Sequence, residues 1–291
     1  MEKDLGQHLF KKFNKRNLLI MKRNIIVRVI NKMKSIVFRF IPQNKDAGVI
    51  RKKTACKLGR QLRLKKKKYI FSCDTLSPLF YLPLYRTDYI QQRILTEKRY
   101  YEQDNLDYVC KKWNGGVVAK QIKNGCILDI GTNIGNHTLY FFFECGIKKA
   151  FCFEPIDTTF EILKKNIEIN NLKEKTVLNN VAVGAESGLS TIAFYDKKNI
   201  GSTQIALEEN GKIPVVSIDT MQIDEPIKLI KVDVEGFEVN VLKGCIKTIE
   251  KYKPYILIEI RTGNFDAILS LLSVYGYKYE KLNLENYFFF A

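Results

Sequence analysis

The stretch Ile127-Leu128-Asp129-Ile130-Gly131-Thr132-Asn133-Ile134-Gly135-Asn136-His137 constrains this chain more than any other part of it. Its apolar start reads as a short buried strand, followed by a glycine-punctuated turn and the opening of a helix. Gly131 and Gly135 let the backbone turn tightly and approach a ligand with no Cβ in the way. Asp129, at the strand end, sets a carboxylate beside that turn. A strand, turn and helix joined in this way predict one unit of a parallel α/β sheet with a ligand at the turn.

Two phosphate-binding readings fail on spacing. The dinucleotide fingerprint G-x-G-x-x-G needs a glycine where this chain has Asn133, and the P-loop needs a Gly-Lys-Ser/Thr ending that is absent. What remains is D-x-G-x-x-x-G, whose carboxylate repels a phosphate and attracts a cation. That chemistry points to S-adenosylmethionine, with its positive amino group and sulfonium.

From about residue 70 onward, strand and helix patterns alternate, which predicts a mostly parallel sheet with helices on both faces. Strands are expected near 126–130, 150–154, 176–183, 227–233 and 255–260, and helices near 136–145, 157–170, 236–250 and 264–275. A hairpin is expected at 189–196, a short strand near 213–217, and two final strands at 277–283 and 287–290. Residues 76–101 form an aromatic-rich lead-in expected to cap the domain.

Ligands of such sheets sit beyond the carboxyl ends of the strands. Glu154, ending the second strand 25 residues after Asp129, is placed to accept both hydroxyls of a ribose. After the third strand, Val181-Ala182-Val183-Gly184 is small and apolar, which suits Ala182 to the face of an adenine ring. After the fourth comes Lys231-Val232-Asp233-Val234-Glu235-Gly236, where alternation puts Lys231, Asp233 and Glu235 on one side. Two carboxylates and an ammonium beside the ligand can steer or deprotonate a hydroxyl; an ion pair with acids at a helix start explains the same residues structurally. Glu259, ending the fifth strand, is a further acid for the same cleft, and no ligand spacing demands a metal.

Charge separates two parts of the chain. Residues 1–70 hold 22 Lys and Arg against three acids, whereas residues 71–291 hold 26 against 28. The overall +17 therefore belongs to a basic N-terminal extension (1–70) and not to the domain at 71–291, made of a lead-in (71–120) and a core (121–291). Within the extension, residues 17–41 carry an apolar stripe at near-helical period among Lys and Arg, which suits either an anionic membrane surface or packing on the domain. Met21 is an alternative start. No uninterrupted apolar run reaches 18 residues. Seven cysteines without a C-x-x-C pair, and only two histidines, speak against a zinc site and fit reduced thiols in a cytoplasmic protein, peripheral on the membrane if the extension binds it.

The ordered set ILDIGTNIGNHT (127–138), Phe153-Glu154-Pro155, KKNIEINNL (164–172), Val181 to Gly184, Ser217-Ile218-Asp219-Thr220, KVDVEGFE (231–238), Leu242-Lys243-Gly244 and residues 254–260 resembles the FkbM-like family of S-adenosylmethionine-dependent methyltransferases. The resemblance covers roughly residues 76–290; Thr132 stands where the family often has Ala. It implies a Rossmann-like class I methyltransferase fold, a seven-stranded mostly parallel sheet with a reversed last strand, and O-methyl transfer, commonly to a sugar hydroxyl. It further implies that Asp129, Gly131, Asn133 and Gly135 line the methionine end of the cofactor, that Glu154 holds the ribose, and that Lys231, Asp233 and Glu235 border the acceptor, with Asp233 as proton acceptor. Asn136 and His137, polar residues at the helix start, would support cofactor or substrate, His137 as a base or as a cap. Two rival readings stay open: an RNA methyltransferase using the basic extension, and a non-catalytic membrane-associated scaffold. Base N-methylating enzymes place an Asn/Asp-Pro-Pro-Tyr/Phe turn after the fourth strand to grip a flipped base; this chain has Asp-Val-Glu-Gly there.

Overall fold

The computed structural model describes residues 69–196 and 198–291; the expected basic helix at 17–41, and all of the extension but Tyr69 and Ile70, lie outside the described residues. Chain order runs β1 (Ile70–Phe71), β2 (Phe80–Tyr81), α1 (Tyr89–Glu97), α2 (Gln103–Asp107), α3 (Val117–Ile122), β3 (Cys126–Ile130), α4 (Asn136–Tyr140), β4 (Lys149–Phe153), α5 (Asp157–Ile169), β5 (Thr176–Asn179) and β6 (Ala182–Val183). It continues with β7 (Gly188–Phe194), β8 (Gln204–Leu207), β9 (Ile213–Val216), β10 (Ile227–Val232), α6 (Glu238–Lys243), α7 (Ile246–Tyr252), β11 (Tyr255–Glu259), α8 (Phe265–Ser273), β12 (Lys278–Lys281) and β13 (Asn286–Phe290).

Seven strands form the main sheet in the order β12-β13-β11-β10-β3-β4-β5. The pairs from β11 through β10, β3 and β4 to β5 are parallel, and β13 enters antiparallel between β11 and β12, the reversed strand expected. β3 lies at the centre and is buried at all five positions, as a strand covered on both faces must be. On α5 the buried residues Thr159, Ile162, Leu163, Asn166 and Ile167 recur at helical spacing and turn one stripe to the sheet.

The lead-in does more than cap. Phe80, Leu82, Ile94, Leu95, Tyr100, Leu106, Val109, Val118 and Ile122 are all buried and share one core with Ile127, Leu229, Leu257 and Phe288 of the sheet. A second core, on Val241, Leu242, Ile249, Ile268 and Leu272, joins α6, α7 and α8 to the sheet. Side-chain amides fasten the lead-in to α5: Asn166 accepts from the Tyr81 amide at 2.5 Å, and Asn170 both accepts from and donates to the Leu79 backbone at 2.8 Å.

Three elements depart from expectation. The strand predicted at 176–183 breaks after Asn179, because the Asn180 side chain turns to donate to the Glu154 carbonyl at 3.0 Å. β6 then joins a separate four-stranded sheet, β6-β9-β7-β8. β7 pairs with β8 across a nine-residue connection, so the hairpin is wider than 189–196. The helix predicted at 236–250 divides at Gly244, whose carbonyl accepts from Asp219 N at 2.9 Å and Ser217 Oγ at 3.1 Å. A Cβ on Gly244 would stand 2.0 Å from the Gly184 carbonyl oxygen, so only glycine fits. Among the described residues no helix is long and apolar enough to cross a membrane, and the six described cysteines are free.

Candidate functional site

The turn after β3 alternates left-handed residues: Gly131 (φ 73°), Asn133 (φ 53°) and Gly135 (φ 88°). Asparagine tolerates that region better than most side chains, and the conformation aims the Asn133 amide at Glu154 Oε2, 2.9 Å away. A phosphate at this turn would meet a carboxylate where it needs free N–H groups, which agrees with the reading from spacing. Glu154 takes a second amide, from Ile156, on Oε1 at 3.0 Å. It is buried yet lines a cleft of about 590 Å³ together with Gly131, Asn133, Ala182, Val183 and Phe237. Burial pushes its carboxyl up to about 7, against the two amides that favour the ionised form.

Asp129 and Gly135 are not among the residues that line this cleft. Asp129 is wholly buried, its Oδ2 accepting the Thr138 hydroxyl at 2.5 Å and its Oδ1 lying 3.5 Å from Lys231 Nζ. The cause is cross-strand register, since β3 and β10 set Asp129 directly beside Lys231. Gly135 faces α5, where a Cβ would meet Leu163 at 2.8 Å. Asn136, too, is engaged behind the turn, donating to and accepting from the Tyr101 backbone at 3.0 Å.

Lys231 is 3% exposed and lies between Asp129, Asp233 (3.3 Å) and the Gly131 carbonyl, to which it donates at 2.8 Å. Burial alone would weaken its charge; Asp233 and Asp129 reverse that and hold it above the ordinary lysine range. Through these contacts Lys231 ties the turn after β3 to Asp233. The expected alternation also stops early: β10 ends at Val232, and Glu235 adopts φ 52°. Glu235 still reaches the cleft, but its Oε2 accepts from Arg261, through Nε at 2.6 Å and through a second guanidinium nitrogen.

At this end the acids converge. Carboxylate oxygens of Asp233, Glu235 and Glu259 all lie within 4.8 Å of one another. Burial, followed by the charge of Asp233, raises Glu235 to about 7; burial with Asp233, Glu102 and Glu235 raises Glu259 to about 9. A smaller cavity of about 260 Å³ adjoins, lined by Glu102, His137, Lys231, Asp233, Glu259 and Asn286 among others. Glu102 sits at about 7 through burial and the charge of Asp233. His137 is held well below the usual histidine range by burial and by Lys231, while a hydrogen bond with the Tyr101 backbone works against that fall.

Glu102, Arg261 and Asn286 escaped the sequence reading. Arg261 follows Glu259 by two residues at a strand end, where inspection of post-strand positions could have found it. Glu102 and Asn286 bond across 184 residues of chain (Nδ2 to Oε1, 3.3 Å), a pairing no local pattern carries.

The known proteins that this chain resembles are methyltransferases. The sequence model of the methyltransferase FkbM domain matches residues 129–279. Methyltransferase 1 of Beauveria bassiana is 25% identical over 178 residues, 52% of this chain and 71% of that protein. The hexuronic acid methyltransferase AglP of Haloferax volcanii is 30% identical over 142 residues, 46% of this chain and 55% of that protein. A crystal structure of methyltransferase FkbM from Methylobacillus flagellatus superposes with a TM-score of 0.47 at 17% identity, over 84% of this chain and 60% of that one.

Proposed function

This chain belongs to the FkbM methyltransferase family, and from that premise we propose that it binds S-adenosylmethionine in the 590 Å³ cleft and methylates a sugar hydroxyl. The acceptor is a glycan, a lipid-linked glycan or a glycosylated metabolite. The observation that carries the reading is Glu154, a buried carboxylate with both oxygens fixed by backbone amides in the wall of an otherwise mostly apolar cleft. Two fixed oxygens with lone pairs to spare suit the paired hydroxyls of a ribose. Ala182, Val183 and Phe237 offer apolar surface for the adenine, and Gly131, packed against the Asp233 carbonyl, lines the same cleft with Asn133.

When bound, S-adenosylmethionine supplies a methyl carbon made electrophilic by its sulfonium. The chain's own part is to position and to take a proton. Asp233 lines both the cleft and the adjoining cavity, and its side chain is 27% exposed, so an acceptor hydroxyl can reach it. Lys231 Nζ, 3.3 Å from Asp233 Oδ2, holds that carboxylate in place beside the cleft. Sugar hydroxyls can also donate to Glu235 and Glu259, which explains acids on an acceptor wall. After the fourth strand the chain has Asp-Val-Glu-Gly in place of the turn that grips a flipped base, which disfavours the RNA reading. Sugar specificity draws support from the Haloferax relative, a hexuronic acid methyltransferase. Residues 17–41 would bring the domain to an anionic membrane surface, where lipid-linked acceptors lie.

The test is Asp233→Asn assayed for methyl transfer to a panel of sugar acceptors. Turnover falls by about 10²-fold or more, as loss of a general base does, while cofactor affinity stays within about threefold. Full turnover in this variant refutes the assignment.

A further inference from the structure

Resting on the reading of the 590 Å³ cleft as the S-adenosylmethionine site, we propose that Thr159 is a further cofactor-binding residue, its hydroxyl donating a hydrogen bond to the ribose held by Glu154. Thr159 lies in the first turn of α5, five residues after Glu154, and both residues line that cleft. It is 3% exposed, and its Oγ1 is buried with no hydrogen-bond partner among the described residues.

A buried hydroxyl without a partner costs stability. A helix ordinarily offers threonine the carbonyl three or four residues back, and here that bond is not made. The neighbouring polar groups are satisfied. On the same buried stripe of α5, Asn166 donates through Nδ2 to the Ile134 carbonyl at 2.8 Å and accepts through Oδ1 from the Tyr81 amide. Thr203, the other threonine lining the cleft, donates to the Ile200 carbonyl at 2.7 Å. Of these three, only Thr159 keeps a free donor.

The chemistry of a ribose calls for one. When both ribose hydroxyls donate to Glu154, their oxygens keep lone pairs that an ionised carboxylate cannot satisfy. The amides of Asn133 and Ile156 are already engaged by Glu154. A lone pair shut off from water with no donor costs affinity, and the Thr159 hydroxyl removes part of that cost. A helix leaves threonine two χ1 wells, so the hydroxyl turns to the ribose while the α5 backbone stays in place. Binding then satisfies a group that the free chain leaves unpaired.

The experiment is calorimetric titration of the full chain at pH 8, where Glu154 is largely ionised. The probes are S-adenosylmethionine and two S-adenosylhomocysteine analogues, one lacking the 2′ and one the 3′ hydroxyl. Thr159→Val keeps the shape and removes the hydroxyl. It weakens S-adenosylmethionine about 2- to 12-fold, the worth of one neutral hydrogen bond, and Thr159→Ser restores most of the affinity. One of the two analogues binds Thr159→Val and the unaltered chain equally, because the acceptor of the lost bond is already gone. Thr159→Val also raises the urea midpoint of the cofactor-free chain, where a hydroxyl with a structural partner would lower it. Unchanged S-adenosylmethionine affinity in Thr159→Val overturns the proposal, as does equal weakening of both analogues or a lowered midpoint. Failure of the unaltered chain to bind S-adenosylmethionine sinks the methyl-donor site and Thr159 with it, whereas binding that is indifferent to Thr159→Val sinks Thr159 alone.

Discussion

Gly131→Ala tests how the site is built. Gly131 has φ 73°, and a Cβ there would stand 1.8 Å from the Asp233 carbonyl oxygen and 2.8 Å from its carbon. Ordinary contact begins near 3.4 Å, so the ends of β3 and β10 must part by about 1.6 Å. Neither side yields easily: Asp233 N is bonded to the Ile130 carbonyl at 3.0 Å, and the Gly131 carbonyl is held by Lys231. A left-handed alanine costs about 1–2 kcal/mol and overpacking about 1–3 kcal/mol, so roughly 2–5 kcal/mol of stability is lost. Since Asp233 itself moves, turnover falls about 10²-fold even in molecules that remain folded, the usual consequence of a 1 Å misplacement. Urea unfolding measures the first effect and single-turnover methyl transfer under folding conditions the second. A loss under about 0.5 kcal/mol with normal turnover refutes the packed contact between strand ends on which the site rests.

Further outcomes follow from the buried charges. Lys231→Met strands the wholly buried Asp129 carboxylate and costs about 3–5 kcal/mol, whereas Lys231→Met with Asp129→Leu recovers most of it; equal urea midpoints for the single and double variants contradict this. Glu102 and Glu154 titrate at about 7 in the folded chain, above their ordinary value of 4.5. Between those limits the folded state binds more protons than the unfolded one. Their contribution is therefore full below pH 4.5 and is lost as pH rises through 7. The unfolding midpoint falls across that window; Glu154→Gln flattens part of the slope, and an unchanged slope speaks against the buried carboxyl.

What could be read in the sequence was what is local. The β3 turn declared itself because a strand end, two glycines and a helix start fall within eleven residues, and Glu154 because the next strand ends at the same edge of the sheet. Asp129 was legible as a strand-end acid, whereas its approach to Lys231, 102 residues away on the neighbouring strand, was not. The division of the helix at Gly244 depends on a carbonyl 60 residues earlier, at Gly184. Glu102, His137 and Asn286 meet only when the lead-in, α4 and β13 pack together, and periodicity within any one of them says nothing of the other two.

The central claim is that the Glu154 cleft receives S-adenosylmethionine. Calorimetric titration of the full chain with that compound, beside Glu154→Gln, tests it most directly. The account predicts one site per chain and, for the variant, a loss of roughly 1.5–3 kcal/mol, the worth of a hydrogen bond to a charged group, or about 10- to 150-fold in affinity. Absence of binding to the unaltered chain, or equal affinity in the variant, contradicts it.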